Sequence, residues 1–226
     1  MTLEHGERLL VTFVIPLAGL VLFSEVPIVS TGTATRVQFF APSVLALAVV
    51  STAMVNLGIS TGFERGWGVL KRLGATPLGP VRLLAAKILA VLAVELVQVG
   101  VLGGVAAGLG WRLHGPVGEA VGAAVLGTVA FAGIGFFLAG TLRAEVTLAA
   151  ANMLYILFLG ISGIMFPLAK LGGFSAVARL LPAAALTDLL HPALGAGGHV
   201  PVEGWAVLAT WAAAAPAIAA ATFRFD

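Results

Sequence analysis

Glu95 and Gln98 stand at i and i+3 in the apolar run Val91-Leu92-Ala93-Val94-Glu95-Leu96-Val97-Gln98, a spacing that sets a carboxyl and an amide side by side on one helix face. A carboxyl surrounded by hydrocarbon is costly to ionise, so it serves either as protonated, hydrogen-bonding glue between helices or as a step in proton transfer. One such carboxyl without a series of partners fits glue better than a relay. Asn56 and Asn152, each in its own apolar run, fit interhelical amide bonds in the same way. Ser162, in Gly160-Ile161-Ser162-Gly163, has a Gly-x-Ser-Gly form that can present a nucleophile, and that chemistry requires a base within hydrogen-bond reach. The four histidines, His5, His114, His191 and His199, lie outside every apolar run long enough to span a membrane. Without a histidine on a facing helix, small residues for close packing explain the motif better than hydrolysis.

What must position these residues is a set of membrane helices. Of the 226 residues, 60% are apolar and 10% charged, against about a quarter charged in soluble domains. A spanning helix needs about 20 apolar residues, because the hydrocarbon core is roughly 30 Å thick and a helix rises about 1.5 Å per residue. Six segments qualify, at about Leu9 to Pro27, Phe40 to Thr61, Val81 to Gly108, Val117 to Gly140, Val146 to Pro167 and Val202 to Phe223. The expected fold class is an all-α polytopic membrane protein, with one transmembrane domain over residues 1–226. Runs rich in Ala, Leu and Gly lack the alternation that a lipid-facing β-barrel strand needs. Glu4 and Glu7 against Arg8 do not make the positive leader of a signal peptide, so the first segment reads as a retained span. The chain has no cysteine, which removes disulfides and thiolate metal sites; no metal site is expected. Gly100, Gly103, Gly104 and Gly108 on the third span, with Gly118, Gly122, Gly127, Gly133 and Gly135 on the fourth, are expected to let backbones approach closely.

One charged island interrupts this pattern, from Phe63-Glu64-Arg65-Gly66-Trp67 through Leu70-Lys71-Arg72-Leu73 to Thr76-Pro77. At helical spacing, Phe63, Trp67, Leu70 and Leu73 share one face, and Glu64, Arg65, Lys71 and Arg72 fall largely on another. That predicts a short amphipathic helix over about 63–77, stopped by the proline. It reads either as a connector or as a coupling helix on which a soluble partner pushes. Lysine and arginine favour the cytoplasmic side. With both termini inside, Arg8, Arg65, Lys71, Arg72, Arg82, Lys87, Arg143 and Arg224 lie there, and Arg36, Arg112, Lys170 and Arg179 lie outside. The net charge of +2 is thus topological; no basic run with interleaved aromatics of the nucleic-acid kind occurs. Beyond Met165-Phe166-Pro167, the stretch 174–191 predicts two short outer helices separated at Pro182, acting as a cap or a gate, with Leu180, Leu181, Leu186 and Leu190 towards lipid or the bundle.

Gly135 to Glu145, then Gly160-Ile161-Ser162-Gly163-Ile164-Met165-Phe166-Pro167, then Leu180-Leu181-Pro182 resemble the ABC-2 type exporter permeases. A small-residue fourth span, a Ser-Gly-x-x-Phe-Pro ending to the fifth and a Leu-Pro outer helix occur in this order in that family. Glu64, Leu70 to Leu73, Thr76-Pro77-Leu78 and Lys87 match its first intracellular loop. The resemblance covers nearly the whole chain and is specific through order; it looks closest to small drug- and antibiotic-resistance permeases of actinobacterial type. Family members usually carry a longer amphipathic segment before the first span, whereas about eight residues precede Leu9 here, implying either a short start or a reduced lateral helix.

The resemblance implies a permease subunit in the cytoplasmic membrane, paired with a second permease subunit and with ATP-binding subunits. The island would couple to the ATPase, and Phe166, Pro167, Leu181 and Pro182 would form an outer gate. The P-loop pattern is missing, so no cofactor is expected on this chain; ATP and Mg would bind the partner. Tyr155 is the single tyrosine, and Trp67, Trp111, Trp205 and Trp211 form no obvious sugar-stacking lane, which leans towards an apolar small molecule, drug or lipid as substrate. Two alternatives come from the residues alone. One is a self-contained proton-coupled transporter or channel using Glu95; the other, weaker for want of a base, is an intramembrane serine protease using Ser162.

Overall fold

A computed structural model describes residues 16–24, 36–74, 79–165, 168–195 and 197–223. They form helices, with no strand among the described residues. Residues 16–24 make α1. One continuous rod follows, from α2 (Arg36–Val49) through a π-helical turn (Val50–Asn56) into α3 (Leu57–Gly66). A short α4 (Val69–Gly74) precedes α5 (Pro80–Gly108), α6 (Val117–Thr141) and α7 (Ala144–Ile161). A 3-10 stretch (Leu168–Phe174) then leads to α8 (Ser175–Ala178), α9 (Pro182–Leu194) and α10 (Val202–Thr222).

Local chemistry sets several of these ends. Pro80 and Pro182 open α5 and α9, where a missing N–H costs nothing and φ is already helical. Glu119, Glu145 and Glu203 sit in the first turns of α6, α7 and α10, where a negative charge meets the positive end of the helix dipole. Only Leu142 and Arg143 separate α6 from α7, which forces the two to run antiparallel.

Among the described residues, five helices are long and apolar enough to cross a membrane: Arg36–Gly66, Val81–Gly108, Val117–Thr141, Ala144–Ile161 and Val202–Thr222. The first expected span, Leu9 to Pro27, is described only over 16–24. The second is longer than expected: 31 residues rise about 46 Å, well beyond a bilayer core of roughly 30 Å. Phe63 to Gly66 are the last turn of this rod and not the start of a separate helix. The fifth ends earlier than expected, at Ile161, because the chain turns at Ser162 and Gly163, the latter at φ +84°. The segment from Gly172 to Ala178 and α9 meet at 99°, so the expected pair of short helices is present in bent form. They differ in placement. Leu186 and Leu190 of α9 are buried in the bundle, whereas Leu180 faces outward.

The packing centre is α6. Phe131 and Phe136 are fully buried, with Phe136 stacked on Phe223 at 4.1 Å and Phe131 edge-on to Phe158. At Gly135 a methyl group would sit 2.6 Å from the Met54 carbonyl oxygen, and at Gly133 2.5 Å from the Pro216 nitrogen. These glycines hold three backbones together. Gly100, Gly104, Gly108 and Gly118 face open space instead, so the expected close approach holds for much of the fourth span and fails for the third. Gly135→Val is accordingly expected to overpack the crossing and cost about 1–3 kcal/mol, while Gly100→Ala leaves the fold unchanged. Melting of the two variants in detergent checks this; equal tolerance at both sites would refute the crossing.

Candidate functional site

The charged island is built as a corner. α3 ends at Gly66, Trp67 and Gly68 turn the chain with Gly68 at φ +73°, and α4 restarts at Val69. Glycine takes that left-handed conformation without a Cβ clash. The single amphipathic helix expected over 63–77 is thus two pieces, and its common apolar face is split: Leu70 is fully buried while Trp67 is 65% exposed. Phe63 and Trp67 remain ring neighbours at 5.7 Å. Leu73 lies in α4, and Thr76 and Pro77 lie outside the described residues.

Side chains brace this corner to three other helices. Lys87 Nζ on α5 donates to Glu64 Oε2 at 2.7 Å, a half-buried ion pair. Arg65 Nη2 donates to the Leu142 carbonyl at 2.5 Å, at the α6–α7 turn. One turn further in, Gly62 lies against Thr147, whose hydroxyl donates to the Leu138 carbonyl at 3.2 Å. Lys71 and Arg72 are exposed on α4.

Halfway along the bundle, the polar residues of α5 are paired. Thr128 Oγ1 on α6 donates to Glu95 Oε2 at 2.5 Å, and Thr52 Oγ1 in the π-helical turn donates to Gln98 Oε1 at 3.0 Å. Glu95 Oε1 is buried with no hydrogen-bond partner among the described residues. Asn152 departs from expectation, since its amide donates to the Leu148 carbonyl of its own helix at 2.9 Å and is exposed on the outside of the chain. Asn56 is exposed as well, at the end of the π-helical turn.

Ser162 is buried, and its hydroxyl has no hydrogen-bond partner among the described residues. Its carbonyl oxygen accepts from the Thr187 hydroxyl, which joins the end of α7 to α9. The half-buried histidine is committed elsewhere: His191 Nε2 lies 2.8 Å from Ser43 Oγ on α2. Of the expected outer-gate residues, Leu181 is half-buried and Pro182 buried at the start of α9; Phe166 and Pro167 lie outside the described residues.

Sequence reasoning passed over a network at the end of the bundle opposite the corner. The Gln38 amide nitrogen donates to the Arg112 carbonyl at 2.9 Å and the Gly195 carbonyl at 3.2 Å, and its oxygen accepts from the Arg112 N–H at 2.8 Å. Trp111 Nε1 donates to the Leu194 carbonyl at 2.9 Å. No spacing rule connects residues 74 positions apart; the sole hint was a glutamine at the head of an apolar run. Among the described residues, no group of three or more His, Cys, Asp or Glu could hold a metal ion.

The sequence pattern described as ABC-2 family transporter protein matches residues 15–222. The chain belongs to that family. It is therefore a multi-pass membrane protein and the permease subunit of an ABC-type transporter, a transport component that is not itself catalytic. ABC-2 membership also implies association with an ATP-binding subunit. No curated protein and no solved structure matches the chain.

In an ABC-2 permease the serine motif has a packing role to fill, and two substitutions separate packing from chemistry. Ser162→Ala is expected to leave both melting and transport unchanged. Thr187→Val keeps the shape, loses the bond to the Ser162 carbonyl, and is expected to cost about 1 kcal/mol, read as a lower melting temperature in detergent. Transport lost in a normally folded Ser162→Ala protein would restore the nucleophile reading.

Proposed function

We propose that this chain is the membrane half of an ATP-driven exporter, moving an apolar small molecule, drug or lipid outward across the cytoplasmic membrane. Two permease subunits, identical or different, alternate the exposure of a pathway at their interface. A separate subunit binds ATP and Mg and hydrolyses the nucleotide. The observation that carries the reading is the α3–α4 corner. Trp67, Lys71 and Arg72 face outward there, while Leu70, the Glu64–Lys87 pair and the Arg65–Leu142 bond brace it against α5 and the α6–α7 turn. A partner pressing on Trp67 therefore presses on several spans at once.

Charge supports the cytoplasmic side for this end. Arg65, Lys71, Arg72, Arg82, Lys87 and Arg143 cluster near it, and Arg36, Arg112 and Arg179 belong to the opposite end. The outward faces of α5 and α7 are rich in exposed Leu, Val, Ile and Met, suited to lipid or to a second subunit. Asn56 and Asn152 are exposed on the neighbouring rod and α7, and an amide at bilayer depth favours a protein or wet pathway over lipid. That supports the second subunit on this side. Drug or antibiotic export is the corresponding physiological role.

Trp67→Asp tests the coupling corner. Membrane insertion and melting are expected to stay as in the parent, because the side chain is largely exposed, while co-purification with the co-expressed ATPase and ATP-dependent transport are lost. Leu70→Asp, which buries a charge, serves as the destabilised control. Full ATPase capture by a folded Trp67→Asp protein would overturn the proposal.

The proton-coupled alternative draws on one observation, the buried Oε1 of Glu95, which has no hydrogen-bond partner among the described residues. Glu95→Gln removes ionisation and keeps an acceptor for Thr128. Under the exporter reading, ATP-driven transport survives with modest loss. Substrate flux that follows an imposed pH gradient in ATP-free proteoliposomes, and stops in the Gln variant, would establish the alternative instead.

A further inference from the structure

At the end of the bundle opposite the α3–α4 corner lies a cavity of about 420 Å³, within the size range of small-molecule sites. Gln38 and Phe39 at the head of α2 form one wall. Asp188 and His191 on α9, with Arg179 just before that helix, form the second, and the loop carrying His199 closes the third. Neither the coupling corner nor the buried pairs of α5 use it.

The chain holds these walls in place before any ligand arrives. Gln38 is fixed by its bonds to Arg112 and Gly195, and the His191 ring by Ser43 at 2.8 Å and by the edge of Phe39 at 4.6 Å. On the third wall, Gly197 and Gly198 lie at φ +78° and +132°, conformations that suit glycine, so no side chain intrudes there. Against this fixed frame the two charges are loosely matched. Arg179 Nε and Asp188 Oδ2 stand 3.9 Å apart with side chains 64% and 28% exposed, whereas a charge-assisted hydrogen bond closes to about 2.7–2.9 Å. Each group keeps capacity for a closer partner. A ligand with one charge would have to disturb the pair and leave the other member unmatched. A ligand carrying both signs gives each member a close contact.

We propose that this cavity binds a zwitterion, with its phosphoryl or carboxylate group on Arg179 and its ammonium on Asp188. Soluble zwitterions and the headgroup of a zwitterionic phospholipid share this chemistry. Trp111 and Trp205 at the same end of the bundle suit the membrane interface, which puts the cavity at headgroup level. The proposal rests on the membrane placement of the bundle and is independent of ATPase coupling and of the direction of transport.

The test uses the full-length chain in nanodiscs of phosphatidylglycerol, titrated by calorimetry with phosphoethanolamine, inorganic phosphate and ethanolamine. Native mass spectrometry in mixed phosphatidylglycerol and phosphatidylethanolamine discs supplies the lipid arm. Saturable phosphoethanolamine binding at least about tenfold tighter than either single-charge probe is expected, as is selective retention of phosphatidylethanolamine. Arg179→Gln and Asp188→Asn should each weaken binding roughly tenfold, the loss of one charge-assisted contact. Soluble binding without lipid retention assigns a free zwitterion; lipid retention, with or without soluble binding, assigns the headgroup. Phosphate alone binding as tightly, folded variants binding like the parent, or neither binding nor retention would overturn the site. Both the probe comparison and the lipid arm are read on the parent chain, so they decide the matter even if a variant fails to fold.

Discussion

Every backbone N–H and C=O taken out of water needs a partner from the protein. Helices meet this demand by themselves; the places where helices stop do not. In this chain, side chains from distant segments take over at those places. The Thr187 hydroxyl serves the Ser162 carbonyl, Trp211 serves Leu180, Trp111 serves Leu194, Gln38 serves Arg112 and Gly195, and Arg65 serves Leu142. Each bond satisfies a helix end and, in the same act, fixes the position of a second segment. The arrangement of α9 within its end of the bundle follows from four of them.

With the ends secured, packing along the lengths of the helices can rely on shape. α6 contributes Phe131 and Phe136 as bulk and Gly133 and Gly135 as recesses, and dispersion between close backbones replaces the hydrophobic effect that lipid does not provide. The polar pairs Thr128–Glu95 and Thr52–Gln98 add direction to this contact. α5 is tied by them to α6 and to the rod, although most of its surface faces outward.

The five spans among the described residues were legible because apolar length is a one-dimensional quantity. Which way a residue faces was much less so, since a helix apolar all round carries no stripe to read. Asn152 illustrates this: its type is plain, and only tertiary packing says that it bonds within its own helix on the outside of the chain. Gly100 and Gly135 are the same residue in similar surroundings, yet one meets open space and the other a carbonyl. The charged island was legible as a place and not as a shape, because a glycine at position 68 permits a left-handed turn without requiring one. Ser43 and His191 were invisible as a pair. Their meeting depends on α9 entering the bundle, which no local pattern near either residue announces.

The rod from Arg36 to Gly66 has a mechanical consequence. It joins the Gln38 network at one end to the Glu64 and Arg65 braces at the other, a separation of about 40 Å at helical rise. Turned as one body, such a rod is a lever. A tilt of about ten degrees around its middle, near the π-helical turn, carries each end through about 3 to 4 Å in opposite directions. Displacement at one end of the bundle would then arrive at the other with its sense reversed, without passing through any loop.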